Sequence, residues 1–190
     1  MTEHLFQGRS WHEEYERRIQ AGVDLVDGLS EQDVLSEHIG LKLDEIAAKL
    51  RLDVPEIYPD RREGRRRTER VHANDYGRDI VIDRDFIDVS IPYSGDRSGF
   101  IFSPSRSPLG LRALVHHDKL IFSCDDDDNL DRNVDQFVQR VTEALTTLRT
   151  EVSQHEPHYV SAMRSRIERR RQQITERRDR DSKRSFPIKD

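Results

Sequence analysis

The chain has 190 residues, 34% of them hydrophobic and 36% charged, with a formal net charge of −5. That is one ordinary domain with some length to spare and too little apolar surplus for a large core. It also excludes a membrane span, because apolar stretches such as Gly99-Phe100-Ile101-Phe102 fall far short of the roughly 20 residues a bilayer requires.

The first predicted element is a helix from about Trp11 to Asp27. Ser10 is placed to cap it and Glu13 to complete a capping box, while Trp11, Tyr15, Ile19, Val23 and Val26 recur on one face. Gly28 stops it. A second helical stretch starts at Ser30, carries Val34, Leu35 and Ile39, is interrupted at Gly40, and continues through Leu43, Ile46, Ala47 and Leu50. Leu43 to Leu50 has the look of the first helix of a helix-turn-helix reader. The following Leu52-Asp53-Val54-Pro55-Glu56 puts a proline and two acids where a recognition helix should begin, which argues against one.

After Pro55 the periodicity changes to short β-branched and aromatic runs punctuated by Pro59 and Gly64. Phe86 to Ile91 alternates as a strand, Gly95-Asp96 makes a turn, and Gly99 to Phe102 reads as the next strand. Ala113-Leu114-Val115 and Leu120-Ile121-Phe122 flank a hairpin loop at His116 to Lys119. Connections this short predict a small antiparallel sheet over about residues 54–124. From Leu130 the 3.6-residue period returns, with Val134, Phe137, Val138, Val141, Leu145, Leu148 and Val152 forming an amphipathic helix that should pack on the sheet. Pro157 is expected to break or kink it. Beyond lies a helical run whose apolar residues are only Tyr159, Val160, Met163, Ile167 and Ile174, which predicts a protruding basic helix or stalk. The expected class is α+β, with a globular domain at 1–156 and a basic helical tail at 157–190.

Charge is distributed in blocks. Residues 164–184 hold ten basic side chains against four acidic ones, and Arg61 to Arg70 forms a second basic segment. Asp125 to Asp128, with Asp131 and Asp135, makes an acidic knot. Blocks of this kind act through fields and partner steering. The candidate partner contacts, protein or nucleic acid, are Arg164, Arg166, Arg169, Arg170, Arg171, Arg177 and Arg178 in the tail and Arg65, Arg66 and Arg67 in the middle.

Three segments together resemble a group of bacterial proteins. They are Ile91-Pro92-Tyr93-Ser94-Gly95-Asp96 through Phe102-Ser103-Pro104-Ser105, the acidic run Asp125 to Asp128 before the helix Val134 to Val152, and an Arg-rich helix closing on Ser185-Phe186-Pro187-Ile188-Lys189. In that group a shared N-terminal module precedes, in some members, restriction-endonuclease-like or TIR-type effector domains. The resemblance implies a sensing or scaffolding module of defence-type effectors, here lacking its effector, and it supplies no catalytic residues.

No catalytic, cofactor-binding or metal-ligating set emerges from the residues themselves. Asp125, Asp127, Asn129 and Asp131 alternate as in a calcium loop, but Leu130 stands where that loop needs glycine and Gln136 where it needs a carboxylate. Acids at a helix N-terminus, with Asp128 or Asn129 as cap, account for them. Pro157 spoils a zinc reading of His155 and His158, and His116-His117-Asp118 reads as a surface loop. Cys124, the only cysteine, has no cation near it in sequence to lower its pKa. One cysteine and no leader-like N-terminus predict a cytoplasmic protein. The function expected is a non-catalytic regulatory or scaffolding module, associating with itself or a partner protein through its C-terminal helices. The alternative is a nucleic-acid-binding accessory protein using the basic segments, although the tail lacks aromatics for base stacking.

Overall fold

The computed structural model describes residues 3–75, 78–106, 110–184 and 186. Helix α1 runs Trp11–Asp27, the bounds its apolar spacing predicts. Helix α2, Glu31–Leu35, starts at a capping box in which the Ser30 hydroxyl accepts from the Asp33 N–H and the Asp33 carboxylate accepts from the Ser30 N–H. The interruption after it falls at Ser36, which turns to extended dihedrals (φ −62°, ψ 143°), and not at Gly40. Gly40 lies in the first turn of helix α3, Ile39–Leu50, where a Cβ would meet nothing within 4 Å.

Six strands form: β1 Glu3–His4, which lies outside the expected span, and β2 Glu56–Ile57, β3 Glu63–Asp75, β4 Arg78–Ser94, β5 Arg112–Val115 and β6 Lys119–Asp125. Their order is β1-β5-β6-β4-β2, with β3 also pairing β4, and every pairing is antiparallel. With the helices this makes the chain α+β. Val89 opposite Phe122 and Ile91 opposite Leu120 put four apolar side chains on one face, since strand residues two apart point the same way. Helix α4, Leu130–Ser182, lays Val134, Phe137, Val141 and Leu145 into the same core, with the Phe122 and Phe137 rings stacked at 4.3 Å.

Gly99 to Phe102 is not a strand. Arg97–Phe100 forms a single 3-10 turn, because the Asp96 carboxylate accepts from the Ser98 N–H at 2.9 Å and caps it. Gly99 is pressed on the Pro55 ring, where a Cβ would come within 2.3 Å of Cδ, and Phe100 is buried edge-on to Tyr93. An unalternating apolar run carries no period to separate turn from strand.

β3 and β4 form a hairpin of thirteen facing pairs, Glu63 opposite Ser90 through Asp75 opposite Arg78, while β6 accompanies β4 only from Phe86 to Pro92. Among the described residues no third strand flanks the outer part, so 68–75 and 78–85 make a two-stranded ribbon.

Contacts group the chain into two units, Met1–Trp11 with Leu52–Glu151, and His12–Arg51 with Val152–Asp190. α4 runs without a break through residue 156, with Pro157 inside it, where a break or kink was expected. Ser153 and Pro157 are both exposed, so the carbonyl freed by the missing proline N–H meets water. Within the second unit, Tyr159, Met163, Ile167 and Ile174 are buried with Val26, Val34, Leu43 and Ile46, which corrects the expectation of a protruding stalk. Four large residues on one narrow stripe suffice against a helical pair, at roughly 1.5–3 kcal/mol for each side chain fully buried. Gly22 permits the close fit, since a Cβ there would come within 2.8 Å of Leu50 and 3.3 Å of Met163.

Glu14 is a charged residue in this second unit with only 2% of its surface exposed. Hydrogen bonds from Arg17 at 2.7 and 2.8 Å and from Arg18 at 2.8 Å outweigh its burial and hold its carboxyl at about 2, against an ordinary 4.5. Arg18 also donates to the Leu50 carbonyl at the end of α3, 2.7 Å away. A lowered folded-state pKa contributes stability that is complete above the ordinary value and lost as pH falls through the folded one. Glu14→Gln should therefore cost about 2 to 3 kcal/mol at pH 7, and denaturant midpoints of the two proteins should converge as pH falls from 4.5 toward 2.

Candidate functional site

Helix ends leave carbonyls without intrahelical partners, and basic side chains are suited to satisfy them. Two of the C-terminal arginines are used this way. Arg170 donates to the carbonyls of Val26 and Leu29 at the end of α1, and Arg171 to those of Val34 and Ser36 at the end of α2, at 2.7 and 2.8 Å. Both side chains are half-buried. They occupy the stripe position between Ile167 and Ile174 that an apolar residue would otherwise fill. Arg166 forms a two-pronged pair with Asp27 at 2.6 and 2.8 Å, and its hydrogen bonds hold the Asp27 carboxyl below its ordinary range. Arg177 and Arg178 both reach Glu31. Of the tail candidates only Arg164 and Arg169 are exposed with no partner among the described residues.

The middle segment is neutralised in the same fashion. The acidic knot and the basic run, separate in sequence, meet across the sheet. Arg62 pairs with Asp135 at 2.8 Å, Arg66 with Asp126 at 2.7 Å, and Arg84 with Asp125 at 2.6 Å. Arg67 lies 5.0 Å over the Phe86 ring and bonds Asp88 at 2.8 Å. Burial acts against the Asp88 charge, but hydrogen bonds from Ser123 and Arg67 prevail and keep its carboxyl below the ordinary range. Arg65 is exposed and stands opposite Asp88 in the hairpin register. Asp127 accepts from the Asn129 N–H at 2.8 Å, just before α4, which is helix-end work of the kind expected although the residue is neither Asp128 nor Asn129.

The other candidates are likewise absorbed. Tyr15 stacks on His155 at 4.1 Å with its edge toward His158, an aromatic cluster in the second unit. His116 and His117 are exposed in the β5–β6 turn. Among the described residues no three His, Cys, Asp or Glu side chains converge to hold a metal ion, and no helix is long and apolar enough to cross a membrane. Cys124 is half-buried, and its thiol is pushed up first by burial and then by Asp125, Asp127, Asp88 and Asp126, which opposes thiolate chemistry. A groove along α4 is lined by Arg106, Arg140, Glu143 and three threonines. Thr142, Thr146 and Thr147 each donate back to the carbonyl four residues earlier, so their hydroxyl protons are engaged within the helix.

The feature that sequence reasoning missed is the ribbon. Its Ile80, Val81 and Ile82 are 38%, 57% and 41% exposed, three consecutive apolar residues left open on the surface. The signal was present as two β-patterned runs on either side of Asn74-Asp75-Tyr76-Gly77.

No family model matches the chain, and no curated protein or solved structure matches it either. Of the segments that carry the bacterial-module resemblance, Ser185, Pro187, Ile188 and Lys189 lie outside the described residues.

If Arg170 and Arg171 hold helix ends, their loss leaves half-buried carbonyls unpaired. Arg171→Ala should lower the unfolding free energy by about 2 kcal/mol, and Arg170→Ala by a similar amount, in urea titrations. Changes under about 0.5 kcal/mol in both would return these side chains to the surface.

Proposed function

We propose that this chain is a non-catalytic regulatory or scaffolding module that works by binding protein, in the cytoplasm, in a defence-type system of the kind its sequence resembles. The observation that carries this reading is the β3–β4 ribbon. A two-stranded arm leaves three consecutive apolar side chains, Ile80, Val81 and Ile82, partly open to water, and contiguous exposed apolar residues mark contact sites.

The charge distribution supports protein rather than nucleic acid as the partner class. Over residues 63–85 six arginines face six acids, so the arm presents no net positive field to a phosphate backbone. In the tail, Arg166, Arg170, Arg171, Arg177 and Arg178 are tied to their own N-terminal helices. Association through an apolar face of the C-terminal helix is not part of this reading, since Tyr159, Met163, Ile167 and Ile174 are buried.

Two measurements test it. The double substitution Ile80→Thr with Ile82→Thr keeps β-branched residues in the strand and should lower the melting temperature by no more than about 4 °C. A larger loss would make the isoleucines part of the chain's own core. Fluorescence anisotropy of labelled duplex DNA and single-stranded RNA should show no saturable binding at low salt; binding that weakens steeply as salt rises would replace the proposal with a phosphate-binding function.

A further inference from the structure

Facing pairs in an antiparallel hairpin share a face, and alternate pairs share the same one. Glu69 opposite Arg84, Val71 opposite Ile82 and Ala73 opposite Ile80 therefore form a single stripe along one side of the ribbon. Val71 and Ala73 are half-buried, while Ile80 and Ile82 are exposed. At its inner end the stripe carries one anion on β3 and one cation on β4. These have partners already, Glu69 in Arg67 and Arg84 in Asp125, yet their side chains remain 55% and 51% exposed.

We infer that the occupant of this face is a second copy of the same chain, stacked ribbon on ribbon about a two-fold axis that runs along the strands. The inference rests on reading the ribbon as an interaction arm. Such an axis carries β3 of one copy over β4 of the other without shifting the level along the strand. Each facing pair in the hairpin then becomes a pair across the interface. Val71 lies over the second copy's Ile82 and the small Ala73 over its Ile80, filling the roughly 10 Å between packed sheets. Glu69 lies over the second copy's Arg84, and the symmetry supplies the reciprocal contact. The stripe is complementary to itself in both shape and charge, as an isologous interface requires.

The outer edge of β4 offers no equivalent. Residues 79–83 read Asp-Ile-Val-Ile-Asp, a palindrome about Val81. Two β4 edges paired about Val81 would set Asp79 against the second copy's Asp83, and like charges directly opposite destabilise a pair. Acids at both ends of the apolar segment guard that edge.

Sedimentation velocity of the full chain over roughly 1–100 μM tests the inference. A concentration-dependent dimer is expected. Glu69→Arg and Arg84→Glu should each weaken it at least tenfold by placing like charges over one another, and Ile82→Asp should abolish it. An equimolar mixture of the Glu69→Arg and Arg84→Glu proteins should dimerise again, since mixing sets a cation over an anion at both contacts. A purely structural role for these residues cannot produce that recovery, and recovery shows that both variants are folded. A chain that stays monomeric throughout, a dimer indifferent to the substitutions, or a mixture that fails to recover overturns the stacking. None of those outcomes touches the proposal of a protein-binding module, which falls instead on salt-sensitive oligonucleotide binding.

Discussion

Two guanidinium groups hold the C-terminal ends of two successive helices. Arg170 and Arg171 each donate to a pair of backbone carbonyls at the ends of α1 and α2. α2 spans five residues, too few to persist on local hydrogen bonding, and carries a single buried side chain, Val34. What fixes it is α4. The stripe Tyr159, Met163, Ile167 and Ile174 supplies the apolar contact, and the arginines at the stripe's open position satisfy carbonyls that would otherwise lie half-buried and unpaired. Replacing those arginines by leucines would lengthen the stripe and strand the carbonyls, so the arginine content of this helix is a requirement of packing.

The same logic runs through the sheet unit. Asp125, Asp126 and Asp135 carry the acidic end of the charge layout, and Arg62, Arg66 and Arg84 meet them across strands and across the start of α4. Pairs this exposed contribute little stability each. Their larger effect is to cancel the field that either block would project alone. The ribbon leaves three consecutive apolar residues, Ile80, Val81 and Ile82, open on the surface.

Much of this was legible in the sequence. Periodicity located α1 and the start of α4, and the turn at Gly95-Asp96 and the β5–β6 hairpin followed from turn-forming residues between β-branched runs. The rest escaped for identifiable reasons. Four buried residues spread over Tyr159 to Ile174 are too sparse to stand out among arginines, and sequence spacing does not show that an arginine donates to carbonyls more than 130 residues away. Pro157 predicts a break only where its neighbours cannot tolerate a hydrated carbonyl. The outer ribbon alternates charge more than hydrophobicity, and its pairing is set by register across the turn, which no local pattern announces. The opposition of Asp125 to Asp128 and the arginine run is tertiary for the same reason: the blocks are joined by strand order.

Native-state hydrogen exchange across the second half of α4 bears most directly on the claim that this helix is a packed, arginine-clamped element. Amides from Tyr159 to Ile174 should exchange at least ~1,000-fold more slowly than in an unfolded chain, together with those of α1 and α3, as one cooperative unit. Exchange near the unfolded rate beyond Pro157, with protection confined to Val134 through Leu148, would contradict the account and make the basic helix a free-standing stalk.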